Sequence, residues 1–118
     1  MTSSLAPLRF ERDIRAALVE VCRRMYTRGL IVALDGNVSA RLPNGKILTT
    51  PRGVCKGDLT PESLVVVGED GRTASSRGPQ PTTELKLHLE AYKQRPDIRA
   101  VVHGHPPLAT AFSVAGVK

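Results

Sequence analysis

An α/β fold is what this 118-residue sequence predicts, and three observations carry that expectation. Apolar residues recur at helical spacing near the N-terminus, short β-branched runs flank an Asn-Gly turn in the middle, and helix and strand patterns alternate beyond residue 82. With 41% hydrophobic residues, the chain matches a single domain, long enough to bury well over half of its unfolded surface.

The first element rests on Phe10, Ile14, Ala17, Leu18, Val21, Cys22 and Met25, a 3.6-residue stripe with Glu, Arg and Asp on the other face. It predicts an amphipathic helix ending near Gly29. A short apolar run, residues 30–34, leads into the turn formers Asp35, Gly36 and Asn37. Residues 38–42 and 46–49 read as two strands around Pro43-Asn44-Gly45, where Asn-Gly is the hairpin signal. Breaks at Thr50-Pro51-Arg52-Gly53 and Thr60-Pro61-Glu62 precede a strand over 64–67, and a second hairpin is expected through residues 68–71. Ser, Gly and Pro make residues 74–81 a loop.

Thr82 or Thr83 is then placed to cap a helix whose Leu85, Leu89 and Tyr92 share a stripe and whose end is marked by Arg95-Pro96. Residues 98–103 form the next strand. Pro106-Pro107 stops it, restricts His105 to extended geometry and opens a short helix over 108–114 capped by Gly116. Val117-Lys118 reads as the start of another element, so the chain is expected to be an incomplete N-terminal part of a larger domain.

Charge and composition narrow the function classes. Seventeen Lys plus Arg against eleven Asp plus Glu give a net charge of +6, which suits an anionic partner such as a phosphorylated metabolite, a membrane surface or nucleic acid. Two Tyr, two Phe, no Trp and scattered basic residues argue against nucleic-acid recognition. Cys22 and Cys55 lack a Cys-x-x-Cys spacing and fit two reduced thiols in a cytoplasmic protein. Residues 1–15 hold no continuous apolar stretch, and the run at 30–34 is far below membrane-spanning length, so no membrane association is expected.

The chemistry-bearing residues cluster at element ends. His103 and His105 are two of only three histidines, one residue apart at the end of a strand pattern. Because side chains alternate along a strand, both imidazoles project from one face and can place nitrogens about 2.0–2.1 Å from one zinc ion. The pair alone fits solvent-facing or core-edge histidines equally well. Glu84 opens the second helix, where a carboxylate complements the helix dipole and where an anion would also be stabilised. His88, four residues on, shares its face and reads as a helix-surface or core-edge residue rather than a ligand. The Gly36-Asn37 and Arg52-Gly53 turns each offer backbone N–H groups to an oxyanion, Arg52 adding a fixed positive charge.

Gly36-Asn37-Val38-Ser39, Thr50-Pro51-Arg52-Gly53, Thr82-Thr83-Glu84 and His103-Gly104-His105, followed by Pro106-Pro107-Leu108-Ala109-Thr110-Ala111, occur in this order. With these motifs the chain resembles the class II zinc-dependent sugar-phosphate aldolases of the aldolase and adducin-head family, most of all their L-fuculose phosphate aldolase branch. The resemblance implies a three-layer αβα sandwich around a central mixed sheet, assembled as a homotetramer with sites between subunits. It implies that His103 and His105 ligate zinc, with Glu84 as catalytic acid/base that also touches the metal when substrate is absent. Gly36, Asn37, Arg52, Gly53, Thr82 and Thr83 would line the pocket for the phosphate of a sugar-phosphate substrate. Family members often carry Thr or Ser in place of Arg52. They are roughly twice as long, and their third zinc histidine and a C-terminal tyrosine fall beyond the residues present here.

The implied reaction is cleavage of a ketose phosphate to dihydroxyacetone phosphate and an aldehyde. A free glutamate, with a pKa of about 4.3, is too weak a base for this alone, whereas zinc lowers the pKa of bound water from about 15.7 to about 7, worth on the order of 10 kcal/mol. The competing expectations are a pentulose-phosphate 4-epimerase, a sugar-phosphate dehydratase or a decarboxylase of the same superfamily, and a non-catalytic adducin-head-like binding domain. Glu84 favours aldol cleavage over epimerisation, because the epimerases tend to carry Asp there.

Overall fold

Ile47 and Leu48 point to opposite faces of a four-stranded sheet, and each face is covered by its own helix. The computed structural model describes residues 8–74 and 76–116. Its elements are α1 (Glu11–Thr27), β1 (Asn37–Arg41), β2 (Ile47–Thr49), β3 (Val65–Val67), α2 (Leu85–Gln94), β4 (Ala100–His103) and α3 (Pro107–Ala115), with single 3-10 turns at Lys56–Asp58 and Pro61–Ser63. The strand order is β3-β2-β1-β4. The expected element at Val117-Lys118 lies outside the described residues.

The two-residue side-chain period sorts the sheet into two cores. Val38, Leu48 and Val66 pack with Ile14, Leu18, Cys22 and Met25, the apolar stripe of α1. Ile47, Val65 and Val67 pack on the other face with Leu85 and Tyr92 of α2, joined by Leu89, Ile98 and Val101. The layers are therefore helix, sheet, helix, as the resemblance implies.

Every ladder among the described residues is antiparallel, so the mixed sheet is not seen in this part of the fold. The cause is the return path: the chain passes along α2 and re-enters the sheet on the free edge of β1, running opposite to it. Pro43-Asn44-Gly45 makes the predicted hairpin turn, with Gly45 at φ 86° and the Asn44 side chain accepting from the Lys46 N–H at 3.0 Å. The second hairpin shrinks to a single Val67–Thr73 bridge closed by a 3.0 Å bond from Gly68 N–H to the Arg72 carbonyl.

Helix α2 begins later than the threonines suggest. Pro51 bridges Pro81, and the Thr82 N–H donates to the Thr50 carbonyl at 3.0 Å, which keeps the chain extended through residue 82. Glu84, not Thr82 or Thr83, is the boundary residue of α2. Helix α3 starts at Pro107 and ends on Gly116 in the left-handed conformation, φ 72°, and none of its residues is buried. No helix among the described residues is long and apolar enough to cross a membrane.

Candidate metal and acid–base site

One end of the sheet gathers the candidate residues. Asn37 opens β1 and stands directly opposite His103, which closes β4. Both lie on the α2 face, and Glu84 sits above them at the start of α2. Two glycines permit this geometry. Gly36 is at φ 75°, and a Cβ there would come 2.9 Å from the His103 carbonyl oxygen as well as striking the Ile31 side chain. Gly104 packs so closely that a Cβ would lie 3.0 Å from Met25 Cε and 3.2 Å from the Leu30 carbonyl. That same carbonyl accepts the His105 N–H at 2.7 Å, tying the segment after β4 to the end of α1.

Glu84 Oε2 approaches His103 Nδ1 to 2.6 Å. The distance is that of an ion pair, yet Nδ1 is a buried atom without a hydrogen bond of acceptable geometry. The His105 ring stands beside it, 4.9 Å from the His103 ring between centroids and tilted by 41°. Glu84 is held below the usual carboxylate range, first by the N–H of Asn37 and then by the neighbouring His103 and His105 rings, against an opposing effect of burial.

Behind Glu84 runs a buried row of polar side chains. Asn37 Nδ2 donates to Glu84 Oε2 at 2.7 Å, and Asn37 Oδ1 meets His88 Nε2. His88 Nδ1 lies 2.6 Å from Ser39 Oγ, which in turn lies 2.8 Å from the Tyr92 hydroxyl. His88 is wholly buried rather than on the helix surface or core edge, and burial pushes its pKa down to about 4. The pattern hides this: an imidazole at position 88 looks like an interruption of the Leu85, Leu89, Tyr92 stripe. The signal that could have found it is the i, i+4, i+8 spacing of Glu84, His88 and Tyr92, matched by Asn37 and Ser39 two apart on a strand. Lys56 was equally silent in the sequence; it is buried, and its Nζ donates to the Leu34 carbonyl at 2.9 Å, bracing the segment that precedes Gly36.

The expected phosphate-pocket residues fall in adjacent segments with different surroundings. The Thr50 N–H donates to the Val38 carbonyl at 3.0 Å, and the Arg52 N–H to the Gln80 carbonyl at 2.8 Å, so the segments at 36–38, 50–53 and 80–83 lie side by side. Gly36, Asn37 and Thr82 are buried, whereas Arg52, Gly53 and Thr83 are exposed. Asn37 uses its carbonyl on His88 and one amide hydrogen on Glu84, leaving one hydrogen for another acceptor. Thr82 Oγ1 accepts from the Glu84 N–H at 3.3 Å.

Among the described residues, no three His, Cys, Asp or Glu side chains are gathered closely enough to hold a metal ion as they stand. Glu84 and His103 touch, and His105 is their neighbour. Two imidazoles and a carboxylate are donors that suit a divalent metal ion, and a buried imidazole nitrogen with no hydrogen bond is an atom that a cation would satisfy.

The sequence model of the Class II Aldolase and Adducin N-terminal domain matches residues 16–118. The 3-oxo-tetronate 4-phosphate decarboxylase of Escherichia coli (strain K12) is 37% identical over 103 residues, covering 87% of this chain and 48% of the relative. The methylthioribulose-1-phosphate dehydratase of Gluconacetobacter diazotrophicus is 39% identical over 97 residues, covering 82% and 47%. The crystal structure of L-fuculose-1-phosphate aldolase from Thermus thermophilus superposes with a TM-score of 0.72 at 35% identity, over 88% of this chain and 52% of that one. The chain thus spans about half the length of the curated relatives it matches. On the order of its motifs, its fold and these matches, the chain belongs to the class II aldolase and adducin N-terminal domain family.

Proposed function

We propose that this chain carries the reaction centre of a zinc-dependent sugar-phosphate lyase, an aldolase of the L-fuculose-1-phosphate type that cleaves a ketose phosphate into dihydroxyacetone phosphate and an aldehyde. The observation that carries the reading is the 2.6 Å approach of Glu84 Oε2 to His103 Nδ1, a buried nitrogen without a hydrogen bond. A carboxylate in that position is a proton carrier placed beside a cation ligand.

His103, His105 and Glu84 would hold the ion, and zinc when bound supplies a Lewis acid for negative charge developing on substrate oxygens. The chain's own residues do the rest. Asn37 keeps Glu84 ionised and aimed by donating to Oε2. Glu84 takes up the proton of the substrate hydroxyl that becomes the aldehyde carbonyl as the carbon–carbon bond breaks, and returns it to the carbon left electron-rich. Backbone N–H groups of the turns at Gly36 and Gly53, the Arg52 guanidinium, the remaining Asn37 amide hydrogen and the Thr82 and Thr83 segment line the phosphate pocket. The net charge of +6 favours such an anion at longer range. The working assembly in this reading is a cytoplasmic homotetramer.

The relatives named as a decarboxylase and a dehydratase support a second reading, in which the same ligands and proton carrier serve loss of carbon dioxide or water from a sugar phosphate. Assays for dihydroxyacetone phosphate, carbon dioxide, a dehydrated product and an epimerised pentulose phosphate separate these outcomes. Glu84→Gln is expected to lower turnover by about 10²–10⁴-fold while zinc and phosphate still bind. Unchanged turnover in that variant would remove Glu84 from the reaction.

A further inference from the structure

The row from Tyr92 to Glu84 has a direction, and the direction is set at one end. An ionised carboxylate only accepts hydrogen bonds, so the Asn37 atom at 2.7 Å from Glu84 Oε2 must be the amide nitrogen. The Asn37 oxygen then faces His88 Nε2, which must carry a hydrogen. A neutral ring protonated at Nε2 has a bare Nδ1, so it accepts from Ser39 Oγ–H at 2.6 Å, and Ser39 is left to accept from the Tyr92 hydroxyl at 2.8 Å. Each group has one role, and none can be reversed without setting two acceptors against each other.

We propose that His88 is a positioning residue: through its Nε2–H it locks the Asn37 amide in the one orientation that donates to Glu84, with Ser39 and Tyr92 fixing the tautomer from behind. Were His88 unable to donate, the amide would be free to turn, and its oxygen would face Oε2 at 2.7 Å, repelling the carboxylate from its place beside His103. The wholly buried setting of the ring, with its pKa pushed down to about 4, agrees with a neutral imidazole. The inference deepens the lyase reading, and its function rests on Glu84 being the proton carrier.

The tautomer is read directly from long-range proton–nitrogen NMR correlations of the imidazole rings at neutral pH. A neutral His88 bearing its proton on Nε2 is expected; a proton on Nδ1, or on both nitrogens, overturns the proposal. Two variants test the consequence. Gln at this position can place an N–H near the Nε2 site, whereas Asn reaches only the Nδ1 site. His88→Gln is expected to keep kcat within a few-fold, and His88→Asn to lose about 10–100-fold in kcat with little change in KM for the sugar phosphate. Equal losses in both variants, or none in His88→Asn, overturn it. If the unaltered chain shows no lyase turnover, the lyase reading fails while the ring spectrum still decides the relay.

Discussion

His103 faces Asn37 across the β1–β4 ladder, so the last residue of one strand and the first of another are fixed to the same spot. The contact between His103 and Glu84 depends on that register, since a slip of β4 by one residue would turn His103 to the opposite face of the sheet. That register in turn depends on a backbone that passes very close to the His103 carbonyl at Gly36.

Gly36→Ala is therefore expected to be costly. A Cβ meets the His103 carbonyl oxygen at 2.9 Å and the Ile31 side chain, at a residue with φ 75° that L side chains rarely adopt. Loss of about 2 kcal/mol or more of unfolding free energy in urea is predicted. Wild-type stability would show that the turn adapts freely.

Stability should also depend on pH through His88. Burial lowers its pKa from 6.5 to about 4, so between these values the unfolded chain binds a proton that the folded chain does not. Folding is then favoured more as pH rises through this window, by up to about 3 kcal/mol, with no further gain from this group above it. Glu84, whose pKa is lowered from 4.5, adds stability that is fully present above that value and fades as pH falls below it, so it touches only the acid end of the window. Urea midpoints at about pH 4.5 and about pH 7 check the prediction, and His88→Gln should flatten the rise.

The two thiols should differ sharply. Cys22 is fully buried in the α1 core, and burial pushes its thiol up to about 12. Cys55 is only half-buried. At mildly alkaline pH a thiol reagent should titrate Cys55 in the folded protein and reach Cys22 only on unfolding. Two equally fast thiols would contradict the packing of Cys22 against the sheet.

Much of this was legible locally. The α1 stripe, the Asn-Gly hairpin and the Gly116 cap follow from spacing and turn chemistry that each segment carries by itself. His103 was placed by the same kind of rule, because strand alternation depends only on neighbours. What could not be read were the consequences of contacts distant in sequence. The start of α2 is delayed by pairing of residues 81 and 82 with residues 50 and 51, so Thr82 and Thr83 lose the capping role their position suggests. His88 enters the core only because Asn37 and Ser39, some fifty residues earlier, present a complementary donor and acceptor. The antiparallel course of β4 likewise depends on how α2 returns the chain to β1. Helix α3 presents Leu108, Phe112 and Val114 to solvent among the described residues, an arrangement no local pattern distinguishes from a buried face.

Whether His103, His105 and Glu84 share a zinc ion is decided by anomalous diffraction at the zinc edge from crystals grown with the metal. One strong peak in contact with all three side chains is expected, lost in His103→Ala. No peak between the two rings and the carboxylate at saturating zinc, or one elsewhere on the molecule alone, would contradict it.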